Sequence, residues 1–230
     1  MRPVEEIYSQ REMASHIAAD RIAAALSRQL RDRGEAVLVA SGGSTPVRCL
    51  ELLSEKRLDW GRVWVTLSDE RWVAPHDQDS NEHMLRDRLL RNKASAARFL
   101  PLYGDEGSPA QRCNVLASEL GRLPRPYACT LLGMGEDGHF ASLFPDAPEL
   151  ADALDPGASA LCIPVSAAAG RLSRISLTLA AVADSDEIVL LIFGKTKRRV
   201  YEAARDGAAH LPVAALLRHA RTRVRVIWAP

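Results

Sequence analysis

Residues Leu131 to Pro145 read Leu-Leu-Gly-Met-Gly-Glu-Asp-Gly-His-Phe-Ala-Ser-Leu-Phe-Pro. A short apolar run is broken by Gly133, Gly135 and Gly138, and two adjacent carboxylates are followed, one glycine later, by an imidazole. Glycines at this density let the backbone turn tightly and approach a ligand closely. His139 in such a turn is expected to be a catalytic base, since a neutral imidazole with a reference pKa of roughly 6.5 accepts protons near pH 7. Asp137 or Glu136 could orient its ring, and spacing does not choose between them. No G-x-S-x-G elbow is present, so serine-hydrolase chemistry is not indicated. The chemistry on offer is base-assisted water attack, or proton abstraction, on a small molecule.

Three further stretches could hold that molecule. Ser41-Gly42-Gly43-Ser44-Thr45-Pro46 follows an apolar run and precedes a helical one. Backbone N–H groups, hydroxyls and a helix N-terminus together suit a phosphate. The stretch is neither a Walker A loop nor a G-x-G-x-x-G fingerprint, and a plain tight turn has the same composition. Lys195 and Lys197 are two of only four lysines and follow the apolar run that ends at Gly194. Lys197 falls on the first turn of the next helix and is the preferred phosphate partner. Asp69-Glu70-Arg71 combines an acid pair with a planar cation, a pattern that also describes an ordinary salt bridge, and Arg174 is read the same way. His76, Asp77, Asp79 and His83 resemble a ligand set only on paper. Their spacing fits no standard metal motif and reads better as loop and N-cap chemistry. His16, His210 and His219 receive no role.

The elements around these motifs follow from periodicity and breakers. Helices are predicted over 9–33, 46–54, 81–91, 109–121, 179–183, 195–206 and 213–218. Strands are predicted over 36–40, 62–67, 98–102, 127–132, 160–165, 174–178, 187–193 and 223–228, and 146–157 is read as irregular. Alternating helices and near-continuous apolar strands indicate an α/β domain, 1–230, around a mainly parallel sheet covered on both faces. All four motif loops follow predicted strands, at the sheet edge where such folds bind ligands.

Composition narrows the classes. Apolar residues make up 47% and charged residues 26%, with a net charge of +1, so no bulk field recruits nucleic acid or an anionic membrane. Cys49, Cys113, Cys129 and Cys162 have no C-x-x-C spacing, which favours free thiols over disulfides or a zinc site. No secretory signal or span-length apolar run is visible, and a cytoplasmic location is expected.

Taken in order, Ser41 to Pro46, Ser68-Asp69-Glu70-Arg71-Trp72-Val73, Asp79-Ser80-Asn81, Gly133 to His139 with Ala141 to Pro145, Arg174 to Thr178 and Gly194-x-x-Lys197 form a specific pattern. The chain resembles the glucosamine-6-phosphate isomerase/6-phosphogluconolactonase family over about Ser41 to Lys197. The resemblance implies a three-layer Rossmann-like fold of the kind seen in glucosamine-6-phosphate deaminase and ribose-5-phosphate isomerase. It implies hydrolysis of 6-phospho-D-glucono-1,5-lactone to 6-phosphogluconate in the oxidative pentose phosphate pathway, with no metal or organic cofactor. By the same resemblance His139 takes a proton from water, with Asp137 and Arg71 completing the catalytic set. Arg71 would contact the phosphate or the lactone carbonyl oxygen. Ser41, Gly42, Gly43, Ser44, Thr45, Asp69, Asn81, Arg174 and Lys197 would bind substrate or support the loops that do. The expected partner is the sugar-phosphate lactone alone, with a monomer or weak homo-oligomer as the assembly. In the deaminase branch the Asp-Gly-His loop continues into Ala-Phe-Asn-Glu, whereas here Phe144 stands where that glutamate would be. Phe140 stands where a smaller or β-branched residue is expected. A non-catalytic sugar-phosphate sensor would need a DNA-binding module, and the first 35 or so residues read as one long helix instead.

Overall fold

The computed structural model describes residues 2–166 and 170–230. Its elements run β1 (Val4–Ile7), α1 (Arg11–Arg33), β2 (Ala36–Ala40), α2 (Val47–Ser54), β3 (Val63–Leu67), β4 (Asp69–Arg71), α3 (Asn81–Arg88), β5 (Arg98–Phe99), α4 (Pro109–Gly121), β6 (Cys129–Leu132), α5 (Leu150–Ala153), β7 (Cys162–Val165), β8 (Arg174–Leu177), α6 (Leu179–Ala183), β9 (Ile188–Phe193), α7 (Lys195–Arg205), α8 (Pro212–His219) and β10 (Val224–Ala229).

Seven strands form one sheet in the order β1-β10-β9-β6-β2-β3-β5, and every neighbouring pair is parallel. All residues of β2 and β6 are buried, so these strands show no two-residue alternation. That is the pattern of strands covered on both faces. Helix α1 buries Ala14, Ala18, Ala19, Ile22, Ala25 and Leu26 and packs across β2, β6, β9 and β10. It stops at Gly34, whose φ of +84° lets its N–H return to the Leu30 carbonyl. All four cysteines are buried and free.

The strand order places the ligand edge. From β2 the chain moves outward through β3 to β5, and it then re-enters on the other side of β2 as β6. The sequence of the sheet reverses between β2 and β6, and the crevice beyond their carboxyl ends is the usual ligand site of such folds. Pairings of Ala40 with Leu67, Leu38 with Cys129, and Leu132 with Leu190 bring the ends of β3, β2, β6 and β9 side by side.

A second, three-stranded antiparallel sheet, β4-β8-β7, departs from the expected arrangement. Asp69 to Arg71 had the polarity of a loop but forms β4, because β8 supplies its hydrogen-bonding partner. β1 carries no prediction, since Glu5 and Glu6 interrupt its apolar residues. It is an edge strand, and those carboxylates pair with Arg205, Arg21 and Arg225. Residues 98–102 keep only two strand residues, and part of the stretch read as irregular forms α5. No described helix is long and apolar enough to cross a membrane.

Candidate active site

The Ser41–Pro46 turn links β2 to α2 above the crevice. Gly43 has a φ of +85° with open space where a side chain would stand, so only glycine adopts this turn without strain. At Gly42 a Cβ would lie 2.0 Å from Asn81 Oδ1: the Asn81 carboxamide fills the place of a side chain. The amino end of α2 carries no side-chain cap, which leaves its first N–H groups available. Across the crevice Gly194, with a φ of +90°, ends β9 and starts α7. Lys197 on that first turn lines the same cavity as Ser41, Gly42, Gly43, Ser44 and Thr45, whereas Lys195 does not. A lysine opposite a helix amino end is a favourable arrangement for a phosphate.

The turn after β6 holds the imidazole. His139 donates its backbone N–H toward Asp137 Oδ1 at 3.2 Å, and its Nδ1 lies 2.6 Å from the same oxygen. An ionised carboxylate at this position would only accept, which would put the proton of a neutral His139 ring on Nδ1 and leave Nε2 free to accept. Between the two candidates for this partner the structure selects Asp137 over Glu136. A Cβ at Gly135 would come within 2.2 Å of His139 Nδ1 and 2.5 Å of Asp137 Oδ1, so the pair occupies space that only glycine leaves free. Gly138, at φ +79°, turns the chain back over Gly135. On its other side the His139 ring meets Phe144, with centroids 4.5 Å apart and planes tilted by 48°.

The third wall is cationic. β4 and β8 pair Arg71 directly with Arg174. Among the described residues the Nε atoms of both are buried without a hydrogen-bond partner, and both side chains line the cavity. Arg71 Nη1 donates to the Asp79 carbonyl at 2.5 Å, which steadies the guanidinium but leaves Nε unused. Burial pushes the Arg174 pKa down while Asp69 pulls it back up, and arginine's high intrinsic pKa keeps it a cation. Asp69 is itself buried. It accepts from Ser68 Oγ at 2.8 Å and Ser142 Oγ at 2.5 Å, and lies 3.7 Å from Arg174 Nη1. Its two oxygens are thus engaged by two hydroxyls and face a guanidinium. Asn81 Nδ2 donates to the Asp69 carbonyl at 2.8 Å, tying α3 to β4 and to the Gly42 turn at once.

The result is a cavity of about 240 Å³ lined by all four loops, containing His139, Arg71, Arg174, Asp69, Asn81, Lys197 and the glycine turn. A larger groove, between the start of β1 and α7–α8, contains none of them. His83 and Asp77 lie outside the cavity lining. The His83 N–H donates to Ser80 Oγ, the cap of α3, and Asp77 accepts from the Asp79 N–H, in keeping with their reading as loop and cap residues. Three contributors were not among the site residues expected from the sequence. Ser142 bridges Asp69 and Arg174, Phe144 walls the imidazole, and Ala141 lines the cavity with a φ of +48°, a conformation L-residues seldom adopt. All three lie just after His139, so proximity to the imidazole was the available signal. Phe140, unexpected in size, is wholly buried in the core.

Comparison with known proteins gives a consistent picture. A family model described as "Glucosamine-6-phosphate isomerases/6-phosphogluconolactonase" matches residues 9–228. A 6-phosphogluconolactonase of Mesorhizobium japonicum is 41% identical over 212 residues, covering 92% of this chain and 89% of the relative. The crystal structure of a 6-phosphogluconolactonase from Shewanella baltica superposes with a TM-score of 0.94 at 36% identity, covering 100% of this chain and 98% of the other. A monomeric glucosamine-6-phosphate deaminase shares the fold, with a TM-score of 0.79 at 20% identity over 98% of this chain and 97% of the other.

Proposed function

The chain belongs to the glucosamine-6-phosphate isomerase/6-phosphogluconolactonase family, and from that premise we propose that it hydrolyses 6-phospho-D-glucono-1,5-lactone to 6-phosphogluconate by His139-assisted water attack. The observation that carries this reading is the His139–Asp137 pair, which opens on the same small cavity as an uncapped helix amino end, a lysine and two arginines with unused Nε–H groups.

In this reading the phosphate sits on the turn from Ser41 to Thr45 opposite Lys197. Nε2 of His139 takes a proton from water as the oxygen attacks the lactone carbonyl carbon. Asp137 holds the ring in its Nδ1–H form and stabilises the imidazolium that results. Collapse of the tetrahedral species breaks the bond to the ring oxygen, and the imidazolium returns its proton there. A lactone is an activated ester, so one positioned base and a held substrate suffice. Arg71 and Arg174 offer cationic N–H groups to the phosphate or to the negative oxygen of the tetrahedral species, and a KM-against-kcat comparison of Arg71→Met separates those two roles. Phe144 argues against the deaminase reaction, because a phenyl ring contributes no carboxylate to ring opening.

The test generates the lactone in situ from glucose-6-phosphate with a dehydrogenase and NADP and follows 6-phosphogluconate above the spontaneous rate. Wild-type protein should accelerate its formation, and His139→Ala should lower kcat by roughly 10²- to 10⁴-fold. Equal acceleration by both would discard the mechanism and keep the activity. No acceleration by the wild type would sink the activity itself.

A further inference from the structure

Of Asp69-Glu70-Arg71, Asp69 and Arg71 face the cavity and Glu70 does not. Glu70 is 1% exposed. Its side chain points away from the substrate, into the start of α3. Oε1 accepts the backbone N–H of Arg71 at 2.8 Å and that of Asn81 at 2.7 Å. Oε2 accepts the backbone N–H of Glu82 at 2.7 Å and the hydroxyl of Ser80 at 3.1 Å. The Ser80 hydroxyl in turn accepts the N–H of His83. A carboxylate from a strand thus caps the amino end of a helix from another part of the chain.

The consequence lies in what those donors belong to. Arg71 presents its guanidinium to the cavity. Asn81 fills the hollow at Gly42, where a Cβ would lie 2.0 Å from its Oδ1, and its Nδ2 holds the Asp69 carbonyl. One buried carboxylate therefore fixes the main chain of two cavity residues, and through Asn81 it backs the glycine turn. Hydrogen bonds to a charged acceptor are stronger and more directional than neutral ones, which suits a rigid support. We propose that Glu70 is a positioning residue for substrate binding, clamping Arg71, Asn81 and the Gly42 turn into one phosphate-accepting wall while leaving the His139–Asp137 pair untouched. No hydrogen bond of Glu70 reaches the turn that carries His139. The effect is therefore expected in binding before turnover. The inference rests on the lactone-hydrolysis reading for its substrate.

The experiment compares wild type with Glu70→Gln at pH 8, using the lactone assay together with inhibition by 6-phosphogluconate. Gln keeps the shape but must turn an N–H₂ toward donors. We expect KM and the inhibition constant to rise roughly tenfold while kcat changes less than about threefold. A loss confined to the thermal unfolding midpoint, with KM and the inhibition constant unchanged, would overturn the proposal, as would a loss confined to kcat. Should Glu70→Gln fail to fold, Glu70→Asp, which keeps the charge but shortens the reach, is read by the same criteria. If the wild type shows no turnover, the activity reading falls separately. The clamp is then read from calorimetric affinity for inorganic phosphate: weaker binding in the variant supports it and equal binding overturns it.

Discussion

Phe144 packs its ring against that of His139, centroids 4.5 Å apart, and carries the Arg171 guanidinium 4.3 Å and the Arg174 guanidinium 5.2 Å from its own centroid. The imidazole is thus held between the Asp137 carboxylate at one edge and an aromatic wall that is itself pinned by two cations. Phe144→Ala should leave the Nδ1–Asp137 contact possible but free the ring to swing. We expect kcat to fall by roughly tenfold, with KM changing less. Steady-state kinetics of the folded variant checks this, and an unchanged kcat would remove Phe144 from the positioning set.

Two glycines make a matched pair of predictions. Gly135→Ala drives a methyl into His139 Nδ1 and Asp137 Oδ1, and Gly42→Ala drives one into the Asn81 carboxamide. The first displaces the base, so kcat should drop by roughly 10²-fold. The second disturbs the phosphate wall, so KM should rise by about tenfold or more. Reversed assignments, with Gly135→Ala raising only KM, would contradict the division of the cavity into a reacting side and a holding side.

Lys197 and Lys195 sit two residues apart, yet only Lys197 lines the cavity. Lys197→Met should raise KM by roughly ten- to a hundredfold and flatten the dependence of kcat/KM on ionic strength. Lys195→Met should change KM by less than about twofold. Salt titrations of the three proteins side by side decide it; equal effects of the two substitutions would reduce the role of Lys197 to general surface charge.

Burial pushes the Glu70 pKa from an ordinary 4.5 up to about 7, against the pull of the backbone N–H groups of Asn81, Glu82 and Arg71 and of the Ser80 hydroxyl. Between those two values the folded chain retains a proton that the unfolded chain has released. Unfolding free energy therefore falls as pH rises through this window and is flat on either side of it, as far as this group is concerned. Glu5, held below its ordinary value chiefly by its hydrogen bond from Arg205, pulls total stability the other way, so the difference between wild type and Glu70→Gln is the useful quantity. That difference should shift against the wild type by up to about 3 kcal/mol between pH 4.5 and pH 8. Urea unfolding at the two pH values measures it. A difference independent of pH would mean that the four donors keep Glu70 ionised throughout.

The sequence by itself determined the local events. Apolar runs too continuous to alternate became the buried parallel strands β2, β6 and β9, and the breakers after them became turns at the ligand edge. The imidazole after two carboxylates marked the reacting turn, but only the folded turn chose Asp137 over Glu136 as its partner. What remained undecided depended on partners distant in the chain. Asp69 to Arg71 became a strand only because β8, about a hundred residues later, supplies its ladder, and that pairing is what faces Arg71 with Arg174. Glu5 and Glu6 concealed β1, whose strand character comes from its place beside β10 and from arginines brought by three other elements. The orientation of Glu70 away from the cavity, with Asp69 and Arg71 beside it turned toward the site, follows from two-residue alternation once β4 is known to be a strand. Local propensity and spacing act within a few residues. Charged strands, capping from another element and the meeting of two arginines are fixed by packing, where the neighbours that satisfy a polar group come from anywhere in the chain.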